Sequence, residues 1–144
     1  MPDLHDLELV IRSKVPLIIV ESYEENRVSS LVTRLGIGRT VPVFGWSITQ
    51  GLRRIDIEFN LDISVPGEEA STCDPELALR EVLGCQEAGI YLFCDIHPFL
   101  TNQPKVIRLL KEIALNHNKV PHTVIMMSHA LDAPPEIIRY TAHF

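Results

Sequence analysis

The chain has 144 residues, enough for one domain with a single substantial core. Apolar residues make up 46% and charged residues 22%, the balance of a globular protein rather than a disordered one. The formal net charge is −6, with 7 basic and 11 acidic side chains in residues 1–72 and 6 and 8 in residues 73–144. No basic stripe is visible, which argues against nucleic acid as a partner.

The chain begins "MPDLHDLELVIRS", where Leu4, Leu7, Val10 and Ile11 fall at helical spacing, so an amphipathic helix is expected up to Pro16. The acidic start is unlike a signal peptide, and the longest apolar runs are about half the roughly 20 residues a membrane span needs. A cytoplasmic protein without membrane contact is expected. "PLIIVES" is a continuous apolar run and reads as a fully buried strand. "YEENRVSSLVTRLGIG" then places acids in a first helical turn, Val28, Leu31, Val32 and Leu35 on one face, and Gly36 where the helix is expected to end.

"TVPVFGWSITQGLRRIDIEF" reads as two β-rich runs meeting at Gln50 and Gly51, with Trp46 filling the core beneath the hairpin or offering an edge to a partner. "NLDISVPGEEASTCD" reads mostly as loop. Asp74 and Pro75 then supply an N-cap and a first-turn proline for "PELALREVLG", closed by Gly84. "IYLFCDIHPFL" is a buried strand opening onto Asp95 and His97. A helix is expected over residues 103–118, with Val106, Leu109, Leu110 and Ile113 inward, followed by the buried run "HTVIMMSHAL". A last strand is expected at the end, where Ile138, Tyr140 and Ala142 alternate. Buried strands alternating with amphipathic helices predict a three-layer α/β domain with an open, mostly parallel sheet.

Ligands of such sheets gather at the carboxyl ends of the strands. Three ends carry polar groups: Glu21 and Ser22, Asp95 and His97, Ser128 and His129. If the strands are neighbours these line one rim, as a working site or as ordinary strand exits meeting water. A phosphate site in the first turn needs glycines and a lysine, whereas "VESYEENR" has neither and carries Glu21, Glu24 and Glu25. Asp95, His97 and His129 are weak candidates for a metal-assisted hydrolase, since HxH and HExxH spacings are missing. "MMSHA" is not a nucleophile elbow. Cys73, Cys85 and Cys94 are odd in number and without CxxC spacing, so neither a disulfide framework nor a zinc knuckle is suggested; Cys94 reads as a small core residue.

"PLIIVESYEENR", "FGWSITQGLRR", "IYLFCDIHPFL" and "HTVIMMSHAL", in this order, resemble the amino-terminal half of a group of bacterial, cyanobacterial and plastid-encoded AAA ATPases. The resemblance runs from about Leu7 to Phe144. It implies a degenerate P-loop or RecA-like fold, one domain over residues 1–144, followed in the same polypeptide by an intact AAA module that binds ATP and magnesium. It further implies that "YLFCD" occupies the Walker B position, with Asp95 similar to the magnesium-associated aspartate, and that Ser128 is similar to the sensor-1 residue. "ESYEENR" stands where GxxxxGK[ST] is expected, and Ile96 replaces the usual catalytic glutamate. The expectation is therefore a non-catalytic regulatory or assembly domain with no cofactor of its own, meeting its own AAA module, neighbouring subunits or a protein client. The alternative is a small-ligand or nucleotide sensor using the same rim. Asp95 and His97 are read as a remnant kept for hydrogen bonding at the strand exit.

Overall fold

The computed structural model of the chain describes residues 3–57 and 72–144. α1 (Leu4–Arg12) opens with a capping box: Asp3 accepts from the Asp6 N–H at 2.9 Å, and Asp6 accepts from the Asp3 N–H at 3.0 Å. Each bond closes an N–H that the helix cannot satisfy itself, and the cap is worth roughly 1 kcal/mol. β1 (Leu17–Glu21), α2 (Glu25–Arg39), β2 (Val43–Ser47) and β3 (Gly51–Arg54) follow. Next come α3 (Pro75–Gly84), β4 (Ile90–Cys94), α4 (Pro104–Leu115), β5 (Thr123–Ser128) and β6 (Thr141–His143). As the sequence predicts, Asp74 caps α3 by accepting from the Glu76 N–H at 2.9 Å, with Pro75 in the first turn.

The six strands form one sheet in the order β3-β2-β4-β5-β1-β6, parallel throughout except for the β2–β3 hairpin. The first strand in sequence therefore lies inside the sheet, between β5 and β6. Side-chain alternation explains the three layers. Ile18, Val20, Ile90, Leu92, Ile125 and Met127 face α1 and α2, while Leu17, Ile19, Tyr91, Phe93, Val124 and Met126 face α3 and α4. Both faces are covered, which is why these strands read as unbroken apolar runs. Trp46 belongs to the core: it packs against Phe93, and its indole N–H donates to the Thr72 carbonyl at 2.6 Å. The architecture is the three-layer, mostly parallel α/β sheet expected, and it is consistent with a P-loop or RecA-like fold.

Three boundaries differ from the sequence reading. α2 runs through Gly36 to Arg39 and ends at Thr40, whose φ of 57° is left-handed. Gly36 is needed for packing instead, since a Cβ there would overlap Val43 Cγ2. α4 stops at Leu115, short of Asn118, and the chain turns through residues 116–119. Ile138–Tyr140 forms a 3-10 turn rather than strand, because the Ile137 carbonyl accepts from the Tyr140 N–H and the Thr141 hydroxyl, leaving β6 three residues long. The expected loop after β3 lies mostly outside the described residues. Among the described residues, no helix is long and apolar enough to cross a membrane.

Candidate functional site

The sheet order makes β4, β5 and β1 neighbours, and register aligns their exits. Glu21 pairs with Ser128 and Cys94 with Met127; beyond them, the Ser22 N–H donates to the Ser128 carbonyl and the Asp95 N–H to the Met127 carbonyl, both at 2.9 Å. Glu21, Ser22, Asp95, His97, Ser128 and His129 thus share the carboxyl rim, as the sequence suggests they could.

Their chemistry is mostly occupied by the fold itself. Ser128 Oγ lies 2.9 Å from His97 Nδ1, 3.2 Å from the Ala130 carbonyl and 3.3 Å from the Ala130 N–H. The His97 tautomer sets the direction: a protonated Nδ1 donates to Ser128 while the hydroxyl proton goes to the Ala130 carbonyl, and an unprotonated Nδ1 accepts the hydroxyl proton itself. Ser128 is also only 2% exposed, which keeps substrates from its oxygen. His97 and His129 meet edge to face at 5.3 Å between ring centroids, and His129 stacks on the exposed Tyr23 ring at 5.7 Å. Among the described residues, no three His, Cys, Asp or Glu side chains are placed to hold a metal ion, so Asp95, His97 and His129 do not make a site there.

Asp95 corrects one expectation. Its backbone is left-handed at φ 57°, a conformation in which aspartate is enriched among non-glycine residues, and this turns the chain from β4 into the His97–Phe99 turn. Its side chain is exposed and accepts no hydrogen bond among the described residues. Of the pair read as kept for hydrogen bonding, His97 makes such a bond, to Ser128, whereas Asp95 shapes the turn and its carboxylate accepts no hydrogen bond among the described residues.

The first turn is short. Only Ser22, Tyr23 and Glu24 separate β1 from α2. The Glu24 N–H donates to Ser22 Oγ at 3.0 Å and the Glu25 N–H to the Tyr23 carbonyl at 3.1 Å, so two donors at the helix start are already used. Glu24 and Glu25 stand at the positive end of the helix dipole, where an anion would otherwise bind. Glu25 reaches the end of β4: the Cys94 thiol is pushed up to about 12 by burial and by the Glu25 and Asp95 carboxylates. It is an inert thiol.

Sequence reasoning missed one rim residue. His143 Nε2 lies 2.8 Å from Glu21 Oε1, across 122 positions of sequence, because β6 seats beside β1. That ring, with a backbone N–H from Leu131, holds the Glu21 carboxyl below the usual carboxylate range. No local motif at "TAHF" signals the pairing, which exists only through strand order.

Against known proteins, a family model described as the N-terminal domain of SpoVK-like AAA ATPases matches residues 3–144. No curated protein and no solved structure matches the chain. The match spans both the buried strands and the rim, and the chain belongs to the family of SpoVK-like AAA ATPase N-terminal domains.

Proposed function

We propose that this domain is a non-catalytic regulatory or assembly module, docking on the AAA module of its own polypeptide and on neighbouring subunits rather than processing nucleotide itself. The observation that carries this reading is the turn after β1. Three residues cannot encircle a phosphate as a GxxxxGK[ST] loop does, two of its N–H donors are consumed internally, and no lysine lies in it. Glu21, Glu24, Glu25 and Asp95 add four carboxylates to the same rim, a field that repels a triphosphate. ATP and magnesium are on this reading the business of the second module.

Sedimentation velocity tests it directly, using this chain mixed with the separately produced AAA module. The reading expects a co-sedimenting complex and no phosphate release by this chain alone. Steady ATP turnover by the chain without the module, or two species sedimenting independently at concentrations well above those of the native assembly, contradicts it.

A further inference from the structure

The opposite ends of the strands present different chemistry. There the ends of α1, α2 and α4 and the starts of β4 and β5 enclose a cleft of about 520 Å³, within the range of small-molecule sites. Its lining includes Arg12, Lys14, Arg39 and His117, together with the Asn118 and Thr123 side chains, and no carboxylate. The chain as a whole carries −6, so this concentration of cations runs against its composition.

A plain explanation exists for part of it. Arg12 and Arg39 sit in the last turns of α1 and α2, where cations offset the helix dipoles. Three helix ends contribute about −0.5 charge each, against three full positive charges, which leaves the cleft positive. Arg12 also shares its charge with Glu8 at 3.4 Å. Lys14 and Arg39 form no ion pair among the described residues.

Two further observations describe the cleft's wall. Lys14 has φ 61°, left-handed, two residues past the end of α1. Glycine is the usual occupant of that conformation after a helix, so a lysine is held there at a backbone cost. In addition, burial pushes the His117 imidazole below its ordinary pKa, with smaller contributions from His122 and Lys14.

We propose that this amino-edge cleft binds a phosphorylated small molecule, with Arg39 and Lys14 as its principal phosphate contacts and Arg12 and Asn118 completing the rim. Guanidinium groups suit bidentate contact with phosphate, and an ammonium on a flexible stem adds a second charge. The site lies at the other end of the sheet from the acidic rim and does not depend on the function proposed above.

The probe is inorganic pyrophosphate, titrated into the chain at low ionic strength and followed by amide chemical shifts. Saturable shifts are expected at residues 12–14, 39–41 and 117–118. Lys14→Gly removes the charge while fitting the left-handed backbone, so the variant keeps its fold; with Arg39→Gln added, affinity falls about tenfold or more. Asp95→Asn, on the opposite rim, leaves it unchanged. No saturable shift at millimolar pyrophosphate, shifts centred on the β1–α2 turn, or undiminished affinity in the Lys14→Gly/Arg39→Gln variant each overturns the proposal.

Discussion

Two glycines in one helix should respond oppositely to the same substitution. Within a helix, alanine is favoured over glycine by about 1 kcal/mol, so propensity alone predicts that Gly36→Ala and Gly38→Ala both stabilise α2. Packing separates them. A Cβ at Gly38 meets nothing within 4 Å, whereas one at Gly36 overlaps Val43 Cγ2 and approaches the Val41 carbonyl at 3.1 Å. Val43 is fully buried in β2 and cannot swing aside into solvent. Overpacking of this kind costs about 1–3 kcal/mol, so after the propensity gain Gly36→Ala should lose up to about 2 kcal/mol. Gly38→Ala, in the last turn, should gain about 0.5–1 kcal/mol. Urea denaturation followed by the fluorescence of Trp46, the only tryptophan, measures both against the parent chain. The two midpoints should move apart. Shifts of the same sign and size would refute the docking of α2 on β2 through Gly36.

Acid should weaken the fold before its carboxylates titrate. His122 is 3% exposed; its Nε2 lies 3.0 Å from the Cys85 carbonyl and its Nδ1 has no partner, and burial lowers its pKa. His117 is lowered as well, chiefly by burial. With folded values below the ordinary value of about 6.5, the unfolded chain takes up protons first, so stability is flat at higher pH and falls as pH drops through that value. The urea midpoint should decline between about pH 7.5 and 5.5, and His122→Gln should flatten the decline; an unchanged slope in that variant contradicts the assignment. The Cys94 thiol, pushed up to about 12, should resist iodoacetamide at about pH 8 in the folded chain and react in urea, as peptide mass spectrometry would show. Native-state labelling at the unfolded rate would remove the burial argument.

The parts of this fold that sequence made legible are those governed by local rules. Asp74-Pro75 announces a helix start, Gln50-Gly51 a hairpin, and "PLIIV", "IYLFC" and "TVIMM" announce strands buried on both faces. Gly36 misled because the same residue serves two ends: as a helix terminator it is a matter of backbone freedom, and here it is a matter of contact with Val43, 7 positions away on another element. The rim was half legible. Polar residues at strand exits are visible in order, but their convergence depends on β4, β5 and β1 being adjacent, and the Glu21–His143 contact depends on β6 closing the far side. Asp95 shows the limit of reading by analogy with a motif. The resemblance likens it to a metal-associated aspartate, while its left-handed backbone, and a carboxylate without a hydrogen bond among the described residues, are matters of geometry. The amino-edge cleft was not legible at all, since Arg12, Lys14, Arg39 and His117 are scattered over 106 positions and each reads alone as an ordinary surface charge.

We propose that the turn between β1 and α2 does not hold a triphosphate. Isothermal titration of ATP with magnesium into the Lys14→Gly/Arg39→Gln variant measures this with the amino-edge cleft disabled. No saturable heat and no phosphate release are expected, and micromolar binding accompanied by turnover would contradict the proposal.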